Sequence, residues 1–291
     1  MEIKKVALVL QGGAVRGAFT AGVLDVFLEN KIYFQYVSAV SAGALNALNY
    51  LSQQIGRSKS LFINVMSDKK FMNKKYLLTK KTLFNFDYLF NEVALERLPF
   101  DFKTYEENKA KLIVATTSCE SGQPTYHEKD VEKHFFKAIA ASASLPFFSA
   151  PIKINNQFYL DGGLSTPIPF KKALEDGYKK IVVITTRDKS YRKDENKKQK
   201  EKLLKLLYGK YPRFIETTIS YPKTYNIEAD LLEKLEDENT AFVIRPKEPI
   251  LLKRTEKNEE ELEKVYYRGR KAGEETLNEL IKFLNENEVK K

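Results

Sequence analysis

Residues 36–44 read YVSAVSAGA: an apolar run ends in Ser41 and passes directly into small residues and the pattern ALNALNY. A serine placed after a buried strand and before a helix sits on a tight turn with its oxygen exposed. The peptide N–H that follows it lies at a helix N-terminus, where it can stabilise a developing oxyanion. Such a turn needs small residues two before and two after the serine, here Ala39 and Gly43, so the motif is A-x-S-x-G. The same residues also suit a helix start packed closely on a neighbour. Ser41 alone does not decide between the two.

QGGAVRGAF (11–19) is a second apolar-run-to-helix junction. Consecutive Gly12 and Gly13 leave backbone N–H groups unobstructed, as a cradle for negative charge requires. Neither G-K-[ST] nor G-x-G-x-x-G is present, so the loop suits an oxyanion better than a nucleotide phosphate, or is a glycine turn without a ligand. A nucleophilic serine needs a base. The only histidines, His127 and His134, both precede Asp161, so the order Ser…Asp…His cannot be built. A Ser–Asp dyad remains, in which a carboxylate takes the serine proton directly. Asp161, in FYLDGGLSTPIPF (158–170), is the best carboxylate: it ends an apolar run and is followed by two glycines. An ordinary D-G turn is the competing reading. Ser67 and Lys70 have the spacing of a Ser–Lys pair but stand in a lysine-rich stretch without glycine support.

The elements that would position these residues alternate. VALVL (6–10), YVSAV (36–40), LIVATT (112–117), KIVVITT (180–186) and FVIRP (242–246) read as strands, most of them covered on both faces. Helical spacing follows Gly13, and LNALNYL, HFFKAIAASA (134–143), LLEKLEDEN (231–239) and 259–287 also read as helices. Alternation of this kind predicts an α/β fold with a mainly parallel sheet, and without a repeat or a Pro- or Ser-rich linker we expect one domain over 1–291.

The chain has 291 residues, a net charge of +10 and one cysteine. No intrachain disulfide or cysteine-based zinc site can form. Five apolar residues after the N-terminal lysines are fewer than the roughly 7–15 of a signal-peptide core, and no run reaches the ~18 of a membrane span. We therefore expect a cytoplasmic protein. Its charge favours polyanionic partners. Residues 68–81 carry six lysines against one aspartate, interleaved with Phe71, Met72, Tyr76 and Leu77. Residues 187–213 carry eleven Lys/Arg against four Asp/Glu, a local net of +7 (11 − 4). Both segments read either as solvated surface or as a lid or contact for anionic lipid at the inner face of the membrane. Nucleic acid is not expected, because no recognition motif or base-stacking platform accompanies the charge.

GGAVRG (12–17), AVSAG (39–43) and DGG (161–163), in that order, resemble the patatin-like phospholipase family. That family reads G-G-G-x-R-G, G-x-S-x-G and D-G-G or D-G-A. The stretches 41–57, 141–163, 167–187, 211–226 and 242–246 resemble its bacterial members too. The resemblance implies a three-layer α/β/α fold and a serine hydrolase of lipid acyl esters that needs no metal or cofactor. Carried over by position, Ser41 is the nucleophile and Asp161 its base. Gly12, Gly13 and Ala14 supply the oxyanion-hole amides, and Arg16 is the loop arginine, which ties down the loop or meets an anionic head group. Two positions depart from the family: Ala14 replaces the third loop glycine and Ala39 the first glycine of the serine motif. If residue 14 needs a positive φ, its Cβ costs roughly 1–2 kcal/mol. A lipid-binding protein with a damaged oxyanion hole on the same scaffold is the alternative.

Overall fold

The structure is a computed structural model that describes residues 1–79, 81–196 and 201–288. Eight strands make the central sheet: β1 (Val6–Leu10), β2 (Tyr36–Val40), β3 (Lys111–Ser118), β4 (Pro124–Glu128), β5 (Ile152–Ile154), β6 (Gln157–Asp161), β7 (Lys180–Ile184) and β8 (Ala241–Ile244). β8, β7, β1, β2 and β3 lie side by side and run parallel. β1 and β2 are buried along their whole length, as expected where helices cover both faces.

The principal helices are α1 (Gly17–Glu29), α2 (Ala42–Leu51), α3 (Phe135–Ser142), α4 (Phe170–Glu175), α5 (Glu201–Tyr208), α6 (Pro212–Asp237) and α7 (Glu259–Glu288). Strand periodicity sorts them into two layers. Leu8, Leu10, Val37 and Ala39 face a core that includes Phe19, Leu45 and Leu262, from α1, α2 and α7. Ala7, Val9, Ile181 and Val183 face the other way, onto Phe170 of α4 and Leu232 of α6. The result is the expected three-layer α/β/α fold with a mainly parallel sheet.

One pairing decides where the chemistry sits. β3 pairs with β2 through residues 111–115, with antiparallel β4 through 113–117, and with antiparallel β6 through 116–118. Because β4 overlaps both of the others, it occupies the opposite edge. β2 and β6 therefore share one edge of β3 end to end. Val40 is opposite Ala115, and Asp161 is opposite Thr116. The residue after β2 is Ser41.

Three expectations need amendment. The helix anticipated over 231–239 is the end of a 26-residue α6 that begins at Pro212. Pro222 and the polar run around it mask the helical period, but Phe214, Ile215, Tyr225, Ala229 and Leu232 bury one face and hold both halves. In 68–81, Phe71 and Met72 are 2% and 3% exposed and belong to the core, whereas Leu78 is exposed; Lys80 lies outside the described residues. Part of 187–213 lies outside them as well (197–200), and its flanks are a loop against α6 and the helix α5 rather than plain surface.

Candidate active site

Ser41 takes φ 55° and ψ −125° as the cap of α2. A non-glycine residue adopts such a backbone only where its surroundings enforce it. They do so here from three sides. The Ser41 N–H donates to Ser142 Oγ (2.8 Å), and Ser142 Oγ donates in turn to the Ala115 carbonyl (2.6 Å). Gly43 lies so close to the β1 chain end that a Cβ would stand 2.4 Å from the Leu10 carbonyl. Val40 is held in the β ladder beside Ala115. The side chain is thereby aimed at Asp161, and Ser41 Oγ donates to Asp161 Oδ2 at 2.9 Å.

Asp161 is equally fixed. Its N–H donates to the Ser144 carbonyl (2.9 Å), and its carbonyl accepts from Thr117 Oγ1 (2.8 Å). Oδ1 accepts from the Gly163 N–H (2.8 Å), leaving Oδ2 for the serine. Gly162 must lack a side chain, because a Cβ there would lie 2.1 Å from the Ala115 carbonyl. Burial pushes the carboxyl up to about 6, opposed by the hydrogen bonds from Gly163 and Ser41 and by the positive charge of Arg254. A carboxylate with that value is ionised at neutral pH yet basic enough to take up a proton.

The glycine loop runs alongside. Thr186 anchors it: its Oγ1 donates to the Gly12 carbonyl (2.7 Å), and its N–H donates to Gln11 Oε1 (2.7 Å). A Cβ on Gly12 would stand 2.9 Å from Ser41 Cβ, and one on Gly13 would stand 2.4 Å from Thr186 Oγ1. Gly12, Gly13, Ala14, Ser41 and Asp161 line one cavity of about 500 Å³. The departures at Ala14 and Ala39 prove unequal. Ala39 is a regular, buried strand residue that pairs with Leu10 and Val114. Ala14 has φ 51°, the left-handed region in which a Cβ is strained.

On the far side of Ala14 and Ser41 the surroundings change. Val15, Leu45, Met66, Phe71, Phe84 and Phe86 line a narrow apolar crevice of about 40 Å³ that reaches the serine. The sequence had offered Phe71 as solvated surface or as a lipid contact, but here it supplies part of the wall of this crevice. The large cavity is more polar than the crevice. Arg16, Arg187, Lys193 and Arg254 line it with Tyr191, Tyr221 and Tyr225. Arg16 is buried, not a surface residue, and Nη1 reaches the Leu252 carbonyl at 3.5 Å.

The other sequence candidates lie elsewhere. His127 is buried between Thr116 Oγ1 (2.9 Å) and Glu132 (3.3 Å), and His134 caps α3. Ser67 bonds Asn64 and Glu259, while Lys70 pairs with Glu92, so they do not form a couple. Sequence reasoning missed Ser142 and Thr186, which tie the motifs together, and also Tyr191, Lys193 and Arg254. Their only signal was position: Ser142 in ASAS before the Asp161 strand, and Thr186 at the end of a buried strand run.

Comparisons with known proteins complete the picture. A family model described as "Patatin-like phospholipase" matches residues 8–174, more than half of the chain. Another, described as a domain of unknown function (DUF6363), matches residues 211–285. A protein of Escherichia coli K12 named "Uncharacterized protein YjjU" is 29% identical over 188 residues, covering 62% of this chain and 52% of that protein. The chain thus spans about half the length of that relative. "Probable lipid hydrolase 463L" of Invertebrate iridescent virus 6 is 27% identical over 214 residues, covering 64% of this chain and 72% of the viral protein. In fold, the chain is similar to the crystal structure of VipD from Legionella pneumophila, with a TM-score of 0.52 at 14% identity over 97% of this chain and 67% of that one.

Proposed function

The chain belongs to the patatin-like phospholipase family, and we propose that it is a serine hydrolase that cleaves acyl esters of lipids through a Ser41–Asp161 dyad. The observation that carries the reading is the 2.9 Å hydrogen bond from Ser41 Oγ to Asp161 Oδ2, beside a glycine loop lining the same cavity.

In this reading the acyl chain enters the crevice beside Phe71 and Phe86, and the alcohol part of the ester extends into the larger cavity. Ser41 Oγ attacks the ester carbonyl carbon while Asp161 Oδ2 accepts the serine proton. The amides of Gly12, Gly13 and Ala14 receive the negative charge that develops on the carbonyl oxygen. Among the described residues these three amides donate to no protein group, which leaves them available for that task. The Ser41 N–H, in contrast, is engaged by Ser142. The tetrahedral intermediate collapses as Asp161 returns the proton to the departing alkoxide. Water then repeats the sequence on the acyl-serine and releases the fatty acid, again with Asp161 as proton carrier. Nothing in these steps calls on a metal ion or cofactor.

The relative named as a probable lipid hydrolase supports a lipid ester as the substrate. The +10 charge supports action at an anionic membrane surface, as does the exposure of Leu206 and Leu207 on lysine-bearing α5. No helix among the described residues is long and apolar enough to cross a membrane. We read residues 1–291 as one functional domain, since β8, from the C-terminal part, completes the same sheet.

Replacing Ser41 with Ala, or Asp161 with Asn, is expected to lower hydrolysis of a medium-chain acyl ester by at least about a thousandfold. Full activity in either variant would refute the dyad. A second reading rests on Ala14, whose φ of 51° strains the oxyanion loop: a lipid-binding protein without turnover. Vesicle binding with no ester hydrolysis, and recovery of hydrolysis in Ala14→Gly, would favour it.

A further inference from the structure

Four cationic side chains converge on the large cavity: Arg16 from the glycine loop, Arg187 and Lys193 from the segment after β7, and Arg254 from the loop before α7. They are close enough to disturb one another. Arg16 is pulled down to about 10 by burial and by Arg187 and Arg254. Lys193 is brought to about 7 by burial and by Arg254, Arg187 and Arg16. Like charges crowded this way repel, and a fold keeps them together only if something offsets the repulsion.

Carboxylates of the protein do not. Arg192, one residue from Lys193, is paired with Asp230 and Glu233 at 2.7 Å each. Among the described residues no such ion pair holds Arg16, Arg187, Lys193 or Arg254. Two acids also line the cavity, Asp161, engaged by Ser41, and Asp194, whose Oδ1 accepts from the Asn196 N–H. Arg16 Nε is buried without a hydrogen-bond partner.

What holds two of the four, Lys193 and Arg187, is aromatic. Lys193 Nζ lies 4.5 Å from the centre of the Tyr221 ring, 4.9 Å from Tyr225 and 5.5 Å from Tyr191, and the Arg187 guanidinium stacks 4.0 Å over Tyr191. Ring faces orient a cation without neutralising it. The support is rigid: the Lys193 N–H donates to Asn226 Oδ1 (2.7 Å), and Asn226 Nδ2 donates back to the Lys193 carbonyl (3.0 Å). An aromatic enclosure of this kind would suit a quaternary ammonium group, but here the chain's own lysine fills it.

We propose that the ester's alcohol part carries a phosphate as its outermost group, and that Arg16, Arg187, Lys193 and Arg254 bind it. The substrate class is therefore an anionic acyl ester ending in a phosphate monoester, in preference to a phosphocholine ester or a neutral glyceride. This rests on the hydrolase reading for the position of the ester but not for the binding itself. A dianion with several oxygens can take charge-assisted hydrogen bonds from two or more of the four side chains.

The test uses full-length Ser41→Ala protein, which needs no turnover. Its binding of 1-oleoyl-glycerol 3-phosphate, 1-oleoyl-glycerol 3-phosphocholine and mono-oleoyl-glycerol is measured by calorimetry at a fixed salt concentration. The phosphate monoester is expected to bind at least about tenfold more tightly than either of the others. Adding Arg187→Gln should erase most of that preference, while Arg187→Lys, which keeps the charge, should retain much of it. Loss of preference in both would mean a fold defect, and Lys193→Met then repeats the comparison. Equal binding of the three lipids overturns the proposal and leaves the hydrolase intact. Inorganic phosphate serves as a further arm: if it binds as tightly as the phosphate lipid, the site serves a free anion and the proposal also falls. Preferential binding without any hydrolysis by the unmodified protein would instead refute the dyad and leave the phosphate site standing.

Discussion

Ser41 Oγ and Asp161 Oδ2 stand 2.9 Å apart although 120 residues separate them in the chain. They meet because β2 and β6 end next to each other on one edge of β3, opposite Ala115 and Thr116. Ser142, at the end of α3, fills the gap between them by binding both the Ser41 N–H and the Ala115 carbonyl. The proposed nucleophile and base are therefore built on strand ends and a helix start, elements that hold position better than free loops.

Asp161 must be ionised to accept the serine proton, and burial sets its carboxyl at about 6. For a neutral ester, kcat/KM should therefore rise with pH through about 6 with the slope of a single deprotonation and level off above it. A rate that is flat from pH 4.5 to 8 would contradict the assignment. A neutral ester is the right probe because it carries no charge that the titration of Lys193, at about 7, would attract or repel.

The same carboxyl predicts a stability difference. Folded Asp161 binds its proton more tightly, at about 6, than the ordinary value of 3.8. The stability that this confers is fully present below about pH 4 and is lost as pH rises through 6. The gap corresponds to at most about 3 kcal/mol. Asp161→Asn does not titrate, so it should be the more stable protein at pH 8, and the two should converge toward pH 4 in urea unfolding. An Asn variant less stable at pH 8 than at pH 4, relative to the parent, would show that the charge is well accommodated.

Ala14 tests the cost of the altered glycine loop. Its φ of 51° costs a Cβ roughly 1–2 kcal/mol, and glycine's extra freedom in the unfolded chain returns about 0.5–1 kcal/mol of that. Ala14→Gly should thus stabilise the protein by no more than about 1.5 kcal/mol and keep or raise kcat. Ala14→Val, with a branched Cβ at positive φ, should destabilise it and lower kcat. Thermal unfolding and steady-state kinetics on the two variants check both halves.

In the proposed mechanism Ser142 is a positioning residue. Removing its hydroxyl takes the partner from two buried backbone groups, at about 1–3 kcal/mol for each one left unsatisfied. It also frees the Ser41 backbone to leave its constrained geometry. Ser142→Ala should lower kcat by about tenfold or more while KM changes little, because the fully buried Ser142 does not line the cavity. A change confined to KM would argue against the role.

Much of this was legible in the residue order. Buried strands such as VALVL and YVSAV declare themselves by apolar runs, and the glycines around Ser41 and Asp161 mark close backbone approaches. The elimination of a late histidine pointed to a carboxylate base. What could not be read was tertiary. Nothing local says that residues 111–118 pair with β2 and β6 on one edge, which is what brings Ser41 and Asp161 together. Lys193 looked like surface charge because two of its ring partners, Tyr221 and Tyr225, come about thirty residues later on a helix whose Pro222 disguised it. Phe71 and Met72 appeared among lysines and were offered to a membrane, yet they turn inward and wall the crevice beside the serine. In each instance the local pattern was right about residue type but silent about which distant surface would receive it.

The most direct test is covalent. A fluorophosphonate probe transfers its phosphonyl group to an activated serine oxygen and expels fluoride, and mass spectrometry of the digested protein locates the adduct. The account predicts one adduct at pH 8, on Ser41, abolished by Ser41→Ala and strongly slowed by Asp161→Asn. An unlabelled Ser41, or labelling that persists at full rate without Asp161, would contradict it.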